Sequence, residues 1–416
     1  MLDLKLIREE TELVKAGLKR KGVKSDDLDT LVALDGERRK LVLESDLLKA
    51  KRNQANDEIS KAKRDGKPAE TLINEMKTIS QKIANIDSKV GEIELKINNI
   101  LYNIPNIPDK SAPDGIGQAG NKTVREWGKK PVFPFKPKDH VELGTKLGWL
   151  SFERATKVTG SGFALFQGEG AQLVRALLNF MLDLHTKKHG YREIWPPALV
   201  NSTSMIGTGQ LPKMEEDMYK LEKDNFFLIP TAEVPVTNIH RDEILDEKEL
   251  PIKYVAYSPC FRREAGSYGK DTRGLSRVHQ FDKVELVKFV KPENSLNELE
   301  LLVKDAEEVL QLLELPYRVV LLCAGDMSFA ATKCYDLEVY APGMDRWFEV
   351  SSASVFSDFQ ARRMNIKYKS LAAKPQFVHT LNGSGVAFAR TILCLLENHQ
   401  QADGSIKIPA ALKPYL

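Results

Sequence analysis

The densest group of reactive side chains lies in Cys260-Phe261-Arg262-Arg263-Glu264 and in Arg277-Val278-His279-Gln280-Phe281-Asp282-Lys283-Val284-Glu285, on either side of the glycine-rich stretch 265–274. The pattern predicts a strand, a long loop and a returning strand. Alternate residues of a strand share a face. Arg262 is therefore expected beside Glu264, and Arg277, Phe281 and Glu285 on one surface. Cations, an aromatic ring and carboxylates on one face make a poor core but a good nucleotide site. An Arg can hold a phosphate, a ring can stack on a base, and a carboxylate can accept from an amino group. A solvated hairpin laced by cross-strand ion pairs has the same spacing, and spacing by itself leaves the two readings even.

Three further segments carry weaker signals. Thr231-Ala232-Glu233 follows an apolar run at 226–230 and places a hydroxyl and a carboxylate at alternate positions. Glu349-Val350-Ser351-Ser352 follows Trp347-Phe348. A carboxylate with a hydroxyl three residues on could hold Mg²⁺ together with phosphate oxygens and water. Taken singly, each is more often an ordinary strand end. Leu381-Asn382-Gly383-Ser384-Gly385 precedes an apolar run at 386–400 that carries Arg390. Gly-x-Gly ahead of a helix would bring backbone and the positive helix end close to an anion. A dinucleotide fingerprint is excluded there, because Phe388 stands where the third Gly belongs and the 31 residues after Gly385 cannot complete a βαβ unit. No P-loop motif occurs, and spacing suggests no Ser/His/Asp nucleophile arrangement.

Two kinds of element must position these groups. Leu72, Met76, Ile79, Ile83, Ile86, Val90, Ile93, Ile97 and Ile100 recur at steps of four and three, the seam of a coiled coil. Upstream, Leu34, Leu41, Leu48, Ala55 and Ala62 recur at steps of seven, and Leu31 and Ile59 continue their seam. Between the runs lies Asp65-Gly66-Lys67-Pro68, where Gly ends one helix and Pro suits the start of the next. The pattern predicts an antiparallel helical hairpin over about 28–100, each arm roughly 50 Å long at the rise of an α-helix. Prolines and turn formers at 103–115 then mark a boundary between an arm at 1–110 and a body at 111–416. In the body, helical segments at 171–189 and 295–313 alternate with strand-like runs at 226–230, 254–257, 278–290, 317–322, 335–340, 348–352 and 376–381. Several of these strands follow one another with no helix between them. The expected class is α+β, an antiparallel sheet flanked by helices.

Composition sets the outer bounds. The chain has 416 residues, 42% of them hydrophobic, which excludes wholesale disorder. Its net charge of +3 is no global sign of a nucleic-acid partner, but the average hides a local asymmetry. Between 38 and 64, nine basic residues stand against four acidic ones; between 69 and 100, four Lys stand against five acids. Cys260, Cys323, Cys334 and Cys394 contain no CxxC pair, so buried thiols are expected rather than a disulfide framework or a zinc ribbon. His185 and His189 have no third ligand nearby; a surface helix face is expected and zinc is not. The N-terminus does not read as a secretory signal, and no apolar stretch approaches the ~18–20 residues that span a bilayer. A soluble, cytoplasmic chain with no membrane partner is expected.

Together these residues resemble the class II aminoacyl-tRNA synthetases, and within that class the seryl-tRNA synthetase family, over essentially the whole chain. His189-Gly190-Tyr191 through Trp195-Pro196-Pro197 resembles the first class signature. Arg262 to Glu264 through Arg277, Phe281 and Glu285 resembles the second, and Gly383 to Arg390 the third. The Thr231-Ala232-Glu233 segment and the long hairpin point to the seryl member. Phe388-Ala389 ahead of Arg390 departs from the residues expected there.

The resemblance implies that serine and ATP·Mg²⁺ form seryl-adenylate and pyrophosphate, and that serine then passes to the 3′ end of tRNA(Ser), with use of tRNA(Sec) left open. It implies an ATP site of Arg262, Arg263, Glu264, Arg277, Val278, Phe281, Glu349, Val350, Ser351, Ser352 and Arg390. Within it Arg262 meets the α-phosphate and the serine carboxylate, Glu264 the adenine amino group, Phe281 the adenine ring, and Arg277 and Arg390 the β- and γ-phosphates. Glu349 and Ser352 would anchor Mg²⁺. Thr231, Ala232, Glu233, Arg262, Glu285, Asn382 and Ser384 would line the serine pocket. A homodimer and a tRNA-gripping arm are further implications. The competing readings are a ligase that charges a carrier protein, against which the four-heptad arm argues, and a catalytically dead RNA-binding relative. The latter should lack at least one of the Arg, Glu and Phe residues above.

Overall fold

The heptad seam becomes two long helices, Asp26–Arg64 of 39 residues and Glu70–Asn103 of 34, in a computed structural model that describes residues 1–265, 273–371 and 374–416. Residues 266–272 of the glycine-rich stretch singled out above lie outside the described residues. On the second helix Met76, Ile83, Ile86, Ile93 and Ile97 are buried, and Leu31 is buried on the first. Polar contacts fix the register. Ser45 Oγ donates to Asp87 Oδ1 at 2.8 Å, and Arg38 lies 3.5 Å from Glu94. Seven residues back along one helix match seven residues forward along the other, so the helices run antiparallel. The turn between them closes by a Gly C-cap: Gly66 has φ +68°, its N–H bonds Lys63 O, and Lys67 N–H reaches back to Ala62 O at 2.9 Å. Asp35 is buried in this unit, held by Arg8 at 2.8 Å and Arg38 at 2.9 Å.

The chain divides into two compact units: Leu2–Lys19 with Val23–Ile104, and Met1 and Arg20–Gly22 with Pro105–Leu416. The second holds an eight-stranded sheet. Its spatial order is Lys122–Trp127, Tyr317–Leu321, Lys333–Ala341, Arg346–Val355, His379–Ala387, Gln280–Val290, Ile252–Phe261, Arg192–Ile194. All pairings are antiparallel except the last. Helices Glu169–Asp183, Ser295–Leu312 and Phe388–His399 cover it. Their Leu177, Leu302, Val303 and Leu393 pack with Leu286, Val319, Leu337, Ala353 and Leu381 of the strands in one apolar core.

Four local expectations are corrected. The strand before the glycine-rich stretch stops at Phe261 and the next begins at Gln280. Arg262, Glu264 and Arg277 are thus loop residues, and Glu264 takes φ +51°, which breaks strand alternation. Thr231 to Glu233 is not a strand end: Glu233 opens the helix Glu233–Thr237, and its N–H bonds Thr231 Oγ1 at 3.1 Å. Asn382 to Gly385 lies inside the strand His379–Ala387, so its glycines do not cap a helix. They admit neighbours instead, since a Cβ on Gly383 would stand 2.2 Å from Leu302 Cδ2 and one on Gly385 2.8 Å from His185 Nε2. His185 is buried rather than on a surface face; its Nδ1 lies 2.9 Å from His189 Nδ1, and burial lowers its pKa to about 3.

Candidate active site

The strands Ile252–Phe261 and Gln280–Val290 pair with Cys260 opposite Phe281 and Ala256 opposite Glu285. Phe281, Lys283 and Glu285 share a face of the second strand and line a cavity of about 680 Å³, a size suited to small-molecule ligands. Most of the residues expected to act in chemistry meet there. Thr231, Glu233, Arg262, Glu264, Arg277, Val278, Glu349, Val350, Ser352, Asn382, Ser384 and Arg390 all line it. Three expected residues do not. Ala232 packs in the apolar cluster with Val236 and Phe289. Ser351 is buried with its hydroxyl on Ser384 O at 2.6 Å. Arg263 lies outside the lining, and its N–H bonds Asp217 O at 2.9 Å.

One part of the cavity is acidic. Glu285 is 1% exposed. Thr231 Oγ1 donates to its Oε2 at 3.1 Å, Asn382 Nδ2 donates to its Oε1 at 3.1 Å, and the Lys283 ammonium pairs with it. Strand, turn and neighbouring strand thus each supply one group to one carboxylate. Glu233 is buried close by, and Gln360 Nε2 donates to its Oε1 at 2.7 Å. Burial first, and the charge of Glu285 second, push the Glu233 pKa up to about 7.

The other part holds arginines already paired with carboxylates. Arg277 Nη1 bonds Glu264 Oε2 at 3.0 Å. Arg390 Nη1 donates to Glu349 O at 2.9 Å and Oε2 at 3.3 Å, while its Nε reaches Ser276 O at 3.1 Å. Arg262 belongs to both parts. Its guanidinium lies 5.1 Å from the Phe281 ring centroid, and its charge helps draw the Glu233 pKa down. Beside Glu349, the Asp336 carboxyl is held well above the ordinary carboxylate range, by burial first and then by the charge of Glu349. Asp336 pairs across strands with Ser352, whose Oγ lies 3.3 Å from Cys334 Sγ.

Lys283, Asp336 and Gln360 escaped the sequence reading. Strand alternation between Phe281 and Glu285 was enough to find Lys283. Asp336 comes into view only once its strand pairs with Arg346–Val355, and Gln360 only through tertiary packing.

An antiparallel sheet whose one face gathers three arginines, a ring and a set of carboxylates, covered by helices on a single core, defines a class II aminoacyl-tRNA synthetase. Residues 218–399 match the family model of the tRNA synthetase class II core domain (G, H, P, S and T), and residues 1–108 match that of the seryl-tRNA synthetase N-terminal domain. Similar curated proteins are the serine–tRNA ligases of Carboxydothermus hydrogenoformans, 55% identical, and Caldanaerobacter subterraneus subsp. tengcongensis, 56% identical; each alignment covers 100% of this chain and 98% of the relative. Among solved structures, seryl-tRNA synthetase from Pyrococcus horikoshii complexed with ATP superposes with TM-score 0.92 at 40% identity, covering 100% of this chain and 98% of that one. The chain belongs to the seryl-tRNA synthetase family. It is a serine–tRNA ligase that activates serine with ATP and charges tRNA.

Proposed function

We propose that the cavity holds serine and ATP side by side, with serine against the acidic cluster and the triphosphate against the arginines. The observation that carries this reading is the joining of Glu233 and Glu285 to Arg262, Arg277 and Arg390 in one cavity. A serine ammonium suits the carboxylates, and its hydroxyl suits Thr231, Asn382 and Ser384. Alanine would leave these buried polar groups unpaired, which is a strong basis for rejection. Arg262 meets the serine carboxylate and the α-phosphate, the two groups that react. Phe281 stacks on adenine, Glu264 accepts from its amino group, and Arg277 and Arg390 take the outer phosphates. No side chain need remove a proton in the first step, because the serine carboxylate is already the nucleophile. Orientation and charge neutralisation do the catalytic work.

Glu349 and Ser352 offer hard oxygen donors, and Asp336, which lines the same cavity and pairs across strands with Ser352, adds a further carboxyl. This fits Mg²⁺, which keeps waters and substrate phosphates in its shell and needs few protein ligands. Bound there, the ion would supply further neutralisation of phosphate charge. The 1–110 segment is proposed as the tRNA-binding arm and 111–416 as the catalytic body. Among the arm's basic residues, Lys40, Lys51, Lys61 and Lys63 are exposed on the helix Asp26–Arg64. A homodimer formed through 189–197 belongs to the same proposal; Trp195 there is 71% exposed. The reaction places the enzyme with translation in the cytoplasm. None of the described helices is long and apolar enough to cross a membrane.

Serine-dependent ATP–pyrophosphate exchange tests the site. Arg262→Ala is expected to lower exchange by ~100-fold, the loss typical of a preorganised electrostatic donor. Near-normal exchange in that variant would overturn the assignment of Arg262.

A further inference from the structure

Gln360 lies on the short helix Phe359–Met364, which follows the strand Arg346–Val355, and its side chain is buried. Both polar atoms of its amide are bonded, and both N–H groups are used. Nε2 donates to Glu233 Oε1 at 2.7 Å and to Thr208 O at 3.1 Å, and Oε1 accepts from Thr380 Oγ1 at 2.7 Å. Thr208 O is a backbone carbonyl and can only accept. It therefore fixes which end of the amide faces Glu233. The donor Glu233 meets cannot be exchanged by a flip, and Thr208 and Thr380 are themselves almost wholly buried.

We propose that Gln360 is a positioning residue for serine recognition: it anchors one oxygen of Glu233 and thereby aims the other at the substrate ammonium. This rests on the reading of Glu233 as part of the serine pocket. The charged groups acting on Glu233 are Glu285 and Lys283 from the strand Gln280–Val290 and Arg262 from the loop; Gln360 is the neutral donor among them. Its hydrogen bond favours the ionised carboxylate, while Glu285 and burial oppose ionisation. Removing Gln360 therefore does two things: it loosens the carboxylate, and it makes the charged form harder to reach.

The test is steady-state exchange kinetics over a pH range for the full-length wild-type enzyme, Gln360→Met, Gln360→Glu and Glu233→Gln. Gln360→Met keeps the volume and loses the donor. Its KM for serine should rise roughly tenfold, the loss expected for one hydrogen bond to a charged group, and the acid limb of its kcat/KM for serine should move to higher pH. Its kcat and its KM for ATP should stay near wild type. Gln360→Glu can donate only through a shared proton. Its activity relative to wild type should be greatest at acid pH and fall as the pH rises, a pattern that a packing defect does not produce. An unchanged serine KM in both Gln360 variants while Glu233→Gln raises it would overturn the positioning role alone. An unchanged serine KM in Glu233→Gln would overturn the pocket reading itself. A parallel rise of the serine and ATP KM values, with no pH-dependent recovery in Gln360→Glu, would reduce Gln360 to a structural residue.

Discussion

Arg390 holds Glu349 twice, through its backbone oxygen at 2.9 Å and its carboxylate at 3.3 Å. The arginine proposed for a phosphate and the carboxylate proposed for Mg²⁺ therefore neutralise each other. Arg277 and Glu264 do the same at 3.0 Å. ATP·Mg²⁺ would exchange each internal pair for two external ones, phosphate on the Arg and cation or adenine on the Glu. Both pairs are partly open to solvent, where an ion pair is worth little, so little opposes the exchange.

Glu349→Gln should raise the Mg²⁺ concentration for half-maximal exchange, by about tenfold if Glu349 is a direct ligand whose charge is lost. A Mg²⁺ titration of exchange at saturating ATP measures it. An unchanged midpoint would place the ion elsewhere.

Serine use should depend on pH through Glu233. With its pKa near 7, the carboxylate gains charge as pH rises toward neutrality, so kcat/KM for serine should climb up to about pH 7 and then level. Glu233→Gln should flatten that limb. The same shift has a stability consequence. The folded state holds this proton to higher pH than the unfolded chain does, so the group weakens the ligand-free fold as pH rises from the ordinary carboxylate range to about 7. Serine should recover part of the loss, measurable as a larger serine-induced rise in Tm at pH 7 than at pH 5.

The arm should contribute to charging and not to activation. Lys51→Glu, Lys61→Glu and Lys63→Glu together are expected to lower kcat/KM for tRNA and flatten its dependence on salt, because fewer counterions are released. Exchange without tRNA should be unaffected. A triple variant that charges tRNA at the wild-type rate over the whole salt range would remove this helix from the RNA interface.

Gly383→Ala should destabilise the body by ~1–3 kcal/mol through overpacking, since its Cβ would meet Leu302 Cδ2 at 2.2 Å. It should also raise the serine KM, because Gly383 lies between Asn382 and Ser384. Leu302→Ala in the same chain makes room, and urea unfolding of the double variant should show less than the summed loss of the two singles.

The helical arm was legible because its signal is local and periodic: a seam at steps of four and three can be satisfied only by two helices packed along it, and Gly66 marks the turn. Six of the eight strands of the main sheet fall on runs read as strand-like, while Lys122–Trp127 and Arg192–Ile194 do not. The types and spacing of Arg262, Glu264, Arg277, Phe281 and Glu285 left a nucleotide site and a solvated hairpin even. The resemblance to the class II synthetases favoured the nucleotide site and added Glu349 and Arg390 to it. Alternation failed where the backbone leaves the extended region, at Glu264 and at Glu233. There the shared face inferred for each pair had no strand to stand on. The glycines of 383 and 385 looked like an anion cradle because a Gly-rich run before a helix reads that way in one dimension; their neighbours Leu302 and His185 are distant in the chain. Residue types and their periods are properties of short segments, so the sequence by itself determined the arm, most of the strand runs and which side chains could do chemistry. Which oxygen of Glu233 is tethered depends on atoms brought together from Thr208, Glu233, Gln360 and Thr380. Only the folded chain sets their distances, and that is what the tertiary structure decided.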